Sequence, residues 1–246
     1  MGELKTLSGF VVATRQKGES GALGLILPQD GSETWILAPR GNKVGGKGTI
    51  LGAYLGILAS FECGRTNPND VWLLHAVKPL RNYGNISADL AFNAYLMFAG
   101  EWLEKFFQED SSGIYPAYER ALAKAGKGQV LAASLLFSAF ALKALGIQPD
   151  TSACVSCGAI ADLVAFSFTE GGFVCRQCAT QLGLTPLPRK QLLTYKYLFA
   201  TDLAREEIEK IDPVVSKRVL GEILAYVEDY FQTKLESAPL LAQSLS

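Results

Sequence analysis

Histidine is almost absent from this sequence, which contains a single residue of that type, His75, among 246. Histidine is the side chain most often used as a general base and is a frequent metal ligand. The sequence therefore offers few residues for general-base catalysis or for metal binding by histidine. His75 lies in the apolar run Val71–Val77, where a lone histidine is more often a core or surface group. The Gly-x-x-x-x-Gly-Lys-Ser/Thr loop of nucleotide-hydrolysing proteins is also missing. The sequence therefore indicates a protein that is not an enzyme.

Long apolar runs are missing too. No stretch of about 18 apolar residues is present, as a membrane-spanning helix would require. The nearest candidate, Val130–Leu142, is interrupted by Ser134 and Ser138, which favours a helix buried in a bundle. Residues 1–8 show no basic-then-apolar signal pattern. We therefore expect a cytoplasmic protein with no membrane partner.

An excess of positive charge is absent as well: 23 Lys and Arg oppose 24 Asp and Glu, for a net charge of −1. The molecule as a whole cannot attract a polyanion, so any affinity for nucleic acid must come from local clusters of cations.

Short β-rich runs separated by Gly, Pro, Asn and Asp occupy the first third of the chain. Five such strands in roughly 80 residues suit a small barrel, most commonly the oligonucleotide-binding (OB) fold, although a barrel resembling an SH3 domain fits equally. The predicted strands are Phe10–Ala13, Leu23–Leu27, Thr34–Ala38, Ile50–Phe61 and Val71–Ala76.

Helical periodicity begins after Ser87, the predicted N-cap, and continues on both sides of a cysteine-containing segment. Gly146 is placed as a helix C-cap, and Asp212 with Pro213 as the start of the last long helix. Residues 236–246 are predicted to be a frayed tail. The predicted helices run from Ser87, and over Ile114–Ala125, Gln129–Leu145, Gln191–Ala200, Asp202–Lys210 and Pro213–Lys234.

Two Cys-x-x-Cys pairs, Cys154 with Cys157 and Cys175 with Cys178, are separated by 17 residues. This spacing is typical of a four-cysteine zinc site, which is structural because four thiolates leave no position for an activated water. Leu163–Phe168 and Phe173-Val174 flank Gly171-Gly172 as the strands of a zinc-ribbon hairpin.

Alternatives to a single structural Zn²⁺ are two disulfides, a redox-active pair or an empty site. A cytosolic setting disfavours disulfides, and two matched pairs fit a metal better than a thioredoxin-like motif does. Cys63, the remaining cysteine, is interpreted as a small buried core residue.

These patterns predict an α+β protein: an OB-like five-stranded β-barrel, then an all-α domain carrying an inserted zinc ribbon. The predicted parts are the barrel at 1–80, helical segments at 81–150 and 183–236, the ribbon at 151–182 and the tail at 237–246.

Two clusters of cations are candidate DNA contacts. One comprises the glycine-rich loop with the turn after the first strand, and the other follows the cysteines. The cations of the glycine-rich loop and those after the cysteines have no neighbouring acid in the sequence. Phe10, Trp35 and Tyr54 could stack on bases, or could equally be core residues. The candidate DNA-binding residues are Arg15, Lys17, Arg40, Lys43, Lys47, Arg189, Lys190 and Lys196.

The chain resembles RecO, a family of bacterial recombination mediators. The resemblance rests on five segments: residues 7–19 (LSGFVVATRQKGE), 38–43 (APRGNK), 145–150 (LGIQPD), 154–158 (CVSCG) and 171–178 (GGFVCRQC). It spans nearly the whole chain, and the cysteine segment is its most specific part.

The resemblance implies an N-terminal OB fold, a helical domain and a zinc ribbon. It implies binding of single- and double-stranded DNA, annealing of complementary strands, and work with RecR to load RecA onto DNA covered by single-strand-binding protein. Two other classes stay open: a zinc-ribbon adaptor that binds proteins rather than DNA, and a nuclease, for which no carboxylate cluster for Mg²⁺ is visible in the sequence.

Overall fold

A computed structural model describes residues 2–29, 34–39, 51–84, 89–107, 113–200 and 211–245. The chain divides into two compact units, Met1–Val130 with Glu236–Ser246, and Leu131–Leu235. None of the helices in these described ranges is long and apolar enough to cross a membrane.

Five strands of the first unit form the predicted OB-like barrel. It is closed in the order β1-β2-β3-β5-β4, and all its strand pairs are antiparallel except β3 with β5. The strands are β1 (Glu3–Lys17), β2 (Gly21–Pro28), β3 (Thr34–Ala38), β4 (Ile57–Arg65) and β5 (Trp72–Asn82).

The first strand closes the barrel because it pairs on both sides. Its first half, Glu3 to Phe10, pairs with β4, and its second half, Gly9 to Lys17, pairs with β2. The register with β2 shifts between Val11 and Ala13, where a bulge gives the strand the bend it needs to serve both neighbours.

The predicted strand Ile50–Phe61 was wrong in its first half. Leu51–Tyr54 forms a 3-10 helix, and β4 begins only at Ile57, after Gly56 adopts a φ of 72° that ends the preceding segment. Leu51 is fully buried in the barrel core, and a Cβ on Gly24 would approach its Cδ1 to 2.8 Å. Burial of this leucine therefore outweighs the β-propensity of the run.

Three helices complete the first unit: α1 (Leu90–Phe106), α2 (Tyr115–Ala125) and, from the other end of the chain, α7 (Ala238–Ser244). Ser87 lies outside the described residues, and the N-cap of α1 is Asp89, whose carboxylate accepts a 2.9 Å hydrogen bond from the Phe92 amide. Helix α1 lies directly on β1 at Gly100, where a Cβ would sit 2.0 Å from the Val12 carbonyl oxygen.

The prediction of a frayed C-terminal tail was wrong. Helix α7 packs on α1, and Leu241 is buried. Its start is held by Glu101 of α1, whose carboxylate accepts hydrogen bonds of 2.8 Å from the amides of Glu236 and Ser237 and one from the Ser237 hydroxyl.

The second unit contains the rest of the helices and a two-stranded hairpin. The caps predicted for it are confirmed: Gly146 has a φ of 73°, and Asp212 accepts from the amides of Val214 and Val215. The predicted helix 202–210 lies outside the described residues, and α6 stops before Lys234 because Gln232 turns left-handed. The elements are α3 (Val130–Ala144), β6 (Leu163–Ser167), β7 (Gly172–Cys175), α4 (Arg176–Gln181), α5 (Arg189–Phe199) and α6 (Pro213–Phe231).

Candidate metal centre and cationic surfaces

The four cysteines of the two pairs converge on one point. Their sulfur atoms all lie within 4.8 Å of one another, and Sγ of Cys157 is 3.7 Å from Sγ of Cys175. In a tetrahedral site with Zn–S bonds of about 2.3 Å, neighbouring sulfurs are about 3.8 Å apart. The cluster therefore has the size and donor set that Zn²⁺ requires.

The first pair sits in a tight turn that we call the knuckle, residues 154–159. The Cys154 amide donates to the Ala159 carbonyl and the Gly158 amide to the Cys154 carbonyl, both at 2.8 Å. Gly158 has a φ of 76°, a conformation that favours glycine. The turn folds Cys157 back over Cys154 so that both thiols face the same side.

The second pair lies where a strand becomes a helix. Cys175 is the last residue of β7 and the N-cap of α4, and Cys178 lies in the first turn of that helix. The Val155 amide donates to the Phe173 carbonyl at 2.9 Å, which ties the knuckle to β7.

The pKa values of the Cys154 and Cys178 thiols shift in opposite directions. Burial raises the pKa of Cys154, but amides of Cys175, Cys157 and Ser156 outweigh it and lower that pKa to about 6. The Cys157 thiol, followed by that of Cys175, raises the pKa of Cys178 to about 12. Four thiolates at this spacing repel one another, so a cation is needed for all of them to be ionised together.

Two further links shape the hairpin that carries the second pair. Arg176 donates to both carboxylate oxygens of Asp162, at 2.9 and 3.1 Å, across the base of the hairpin. At its turn, a Cβ on Gly172 would lie 2.0 Å from the Asp150 carbonyl oxygen, which accepts from the Phe173 amide. This close approach of two backbone segments explains why residue 172 is a glycine.

Aromatic rings join the hairpin to the helices of its own unit. Phe166 of β6 stacks on Tyr195 of α5, with ring centroids 3.8 Å apart and planes 7° from parallel. Phe168 stacks on Tyr226 of α6 at 4.7 Å. The metal segment is therefore anchored to α5 and α6 by stacked aromatic rings.

Of the candidate DNA contacts in the first unit, Arg15 is already engaged. Its Nε lies 2.5 Å from a carboxylate oxygen of Glu104, and its guanidinium sits 5.2 Å from the centre of the Trp35 ring. Lys17 is exposed at the end of β1. Arg40, Lys43 and Lys47 lie outside the described residues.

The cations of the second unit, Arg189, Lys190 and Lys196, are all exposed on α5, and we call them the α5 cations. Lys190 is not free of acids as its sequence surroundings indicated, because its Nζ lies 3.7 Å from Asp212 across the start of α6. Within the described part of the chain, Arg189 and Lys196 have no acidic partner at ion-pair distance.

Most aromatic candidates for base stacking belong to the core. Phe10 is fully buried against the rings of Tyr83, Tyr115 and Tyr118, and Tyr54 packs on the barrel core. The interpretation of Cys63 as a core residue is confirmed, since it is buried and burial raises its pKa to about 11. His75 is an exposed surface group.

Two exposed cations are missing from the DNA contacts that were predicted from the sequence. Lys78 and Arg81 are exposed on β5, and Arg81 covers the Tyr83 ring at 4.6 Å from its centre. The predicted fifth strand stops at Ala76, so both residues lie beyond its predicted end. The sequence carries no period-2 signal that the strand continues, because Val77 and Leu80 are three residues apart and Pro79 lies between them.

The fold and the cysteine cluster together define a class: a barrel-and-helix protein with a four-cysteine centre that can hold one metal ion. The family model described as "Recombination protein O C terminal" matches residues 87–243, which is well over half of the chain. The chain therefore belongs to the RecO family.

Relatives named "DNA repair protein RecO" match over most of the chain. The protein of Exiguobacterium sibiricum is 26% identical over 97% of this chain and 96% of its own length. That of Bacillus pumilus is 22% identical over 96% and 92%, respectively. That of a Thermoanaerobacter species is 28% identical over 62% of this chain and 64% of its own.

Proposed function

We propose that this chain is a DNA-repair protein that acts as a DNA-binding recombination mediator. It binds single- and double-stranded DNA and anneals complementary strands. With RecR, it helps RecA to load onto DNA covered by single-strand-binding protein. The single observation that carries the proposal is membership of the RecO family, supported by relatives that share the name "DNA repair protein RecO" and match nearly end to end.

The metal of the proposal is one structural Zn²⁺ held by Cys154, Cys157, Cys175 and Cys178. When bound, zinc would cross-link the knuckle to the strand and helix that carry the second pair. Four thiolates fill a tetrahedral ion, which leaves no open position for water or substrate. We therefore propose a protein that binds DNA without making or breaking a covalent bond.

DNA binding would depend on local cations because the net charge is −1. Arg189 and Lys196 are the strongest candidates in the second unit, since they are exposed and no described acid pairs with them. In the first unit, Lys17, Lys78 and Arg81 are exposed. Contacts of this kind release counterions from the phosphate backbone and do not depend on base sequence. Such a role places the protein in the bacterial cytoplasm, at the nucleoid.

An annealing assay tests the proposal. Two complementary labelled strands, bare or covered with single-strand-binding protein, are mixed with the purified chain in the absence of nucleotide, with and without RecR. The proposal expects faster duplex formation and strands of unchanged length. Capture of RecR or single-strand-binding protein without any DNA binding would favour the protein-binding adaptor instead. Cleaved strands in the presence of Mg²⁺ would favour a nuclease.

A further inference from the structure

The four cysteines of the cluster differ in their exposure to solvent. Cys154, Cys175 and Cys178 are buried, whereas Cys157 is exposed at the tip of the knuckle. Sγ of Cys157 also lies 3.7 Å from Sγ of Cys175, a ligand of the other pair. One cysteine of the centre is therefore exposed to solvent, and its sulfur already lies beside a second thiol.

We propose that Cys157 is a modification site at which a peroxide oxidises the metal centre, forming a disulfide with Cys175 and releasing zinc. This proposal rests on zinc occupancy, which is part of the proposed function. The ligand class is a small, polar two-electron oxidant such as hydrogen peroxide, because the reagent must reach Cys157 beside three buried cysteines.

The chemistry balances in two steps. The Cys157 thiolate attacks one peroxide oxygen, the O–O bond breaks, and a sulfenic acid and hydroxide form. The Cys175 thiolate then attacks the Cys157 sulfur and displaces a second hydroxide, which gives the disulfide. Each sulfur loses one electron, the peroxide gains two, and two protons from solvent convert both hydroxides to water. Only Cys154 and Cys178 would then remain as thiolate ligands, too few to retain a zinc ion.

The surrounding contacts confine the consequence to the knuckle. The hairpin remains held by the Asp162–Arg176 ion pair, by the Asp150 contact at Gly172 and by the Phe166–Tyr195 stack, none of which needs the metal. The knuckle is held by its own turn, by the Val155–Phe173 hydrogen bond and by apolar contacts of Val155 and Ala159 with the hairpin cluster. Oxidation removes the metal link at Cys154, while the new disulfide keeps Cys157 tied to Cys175 at the end of β7. Residues 154–159 should therefore loosen around Cys154, and β6 and β7 should stay in place.

The test uses the full chain, whose zinc content is measured first. Limited alkylation with N-ethylmaleimide, followed by peptide mass spectrometry, should label Cys157 on the order of tenfold faster than the other three ligands. Hydrogen peroxide should then release zinc to a chromogenic chelator in step with a Cys157–Cys175 disulfide. Hydrogen exchange should rise at 154–159 and stay unchanged at 163–175.

A Cys63→Ser variant is the control, because it retains all four ligands and should release zinc at the same rate. First labelling of a buried ligand, or a disulfide confined to the pair Cys175 and Cys178, would overturn this proposal while the metal assignment stands. A chain that contains no zinc as purified would overturn both.

Discussion

Glu101 is a half-buried carboxylate that joins the two ends of the first unit. It accepts from the amides of Glu236 and Ser237, each at 2.8 Å, and pairs with Lys105 at 2.6 Å. Burial alone would raise the pKa of Glu101, but hydrogen bonds from Lys105, Ser237 and Glu236 outweigh it and hold that pKa below its usual value. The ionised form is therefore the one that holds α7.

We predict that Glu101→Gln lowers the free energy of unfolding by about 1–3 kcal/mol, the usual range for hydrogen bonds to a charged group. Because the folded pKa is depressed, the stabilisation is complete above the unfolded pKa and is lost as the pH falls through the folded value. Urea unfolding at pH 7 and at pH 3 measures both effects. The difference between wild type and variant should shrink at the lower pH.

Glu236→Gln is the matched control, since it removes the same charge at the same junction while Glu236 uses only its exposed backbone amide there. Equal losses for the two variants would contradict the role given to Glu101.

Single residues also show what can be inferred without a structure. The metal ligands are visible in the sequence because each pair is local and its spacing reflects tetrahedral geometry. The partner of Arg15 is not visible, since Glu104 comes 89 residues later and meets it only after α1 has docked on the barrel. The role of Glu101 at the start of α7 was missed for the same reason. Its carboxylate accepts hydrogen bonds from amides that lie 135 and 136 residues later in the chain.

Helix α1 is positioned on the barrel by the absence of a side chain at Gly100. We predict that Gly100→Ala lowers the free energy of unfolding by about 1–3 kcal/mol, as overpacking of a core does. The Cβ would meet backbone, the Val12 carbonyl oxygen at 2.0 Å, and backbone cannot rotate out of the way. Equilibrium unfolding in urea measures the loss.

Gly221→Ala provides the opposite control within α6, because a Cβ there would have nothing within 4 Å. It should gain about 0.5–1 kcal/mol from helix propensity alone. Stabilisation by both substitutions would show that the contact between α1 and β1 is looser than described.

The metal segment is expected to contribute to the stability of the fold through the zinc ion that it would hold. We predict that Cys154→Ala, or removal of zinc by a chelator, lowers the melting temperature. A metal at roughly 100 to 1,000 times its dissociation constant contributes about 3–4 kcal/mol to folding. Exchange should increase in 154–159 before α5 is affected, and DNA binding should not be the first property lost. The Cys63→Ala variant is the control: it should retain zinc, although it also loses core packing at position 63. An unchanged melting temperature after verified metal removal would contradict the structural role of the metal.

Helices and strands could be predicted from the sequence where the residues that specify them lie within the element itself. The helices α2, α3 and α5 begin and end within about two residues of the expected positions, because periodicity and caps belong to the segments themselves. The start of β4 and the helix α7 were missed because packing decides both. Leu51 fills the barrel core, and Leu241 is buried where α7 packs on α1.

At the scale of the whole molecule, the proposed DNA binding must depend on local surfaces, because the net charge is −1. Replacement of Arg40, Lys43 and Lys47 together is predicted to weaken binding to all DNA sequences alike and to flatten the salt dependence. Fluorescence anisotropy with two oligonucleotides of unrelated sequence measures this. An unchanged affinity would place DNA elsewhere, with the α5 cations as the next candidates.

The most direct measurement is the salt dependence of oligonucleotide binding by the zinc-loaded wild type, by Arg189→Gln/Lys196→Gln and by the charge-matched Arg65→Gln/Arg218→Gln. The last pair removes cations already held by Glu3 and Glu222. We predict a steep fall in affinity with salt for the wild type, and a logarithmic slope shallower by about 1–2 for the first variant and little altered for the second. No binding by the wild type at low salt would contradict the account.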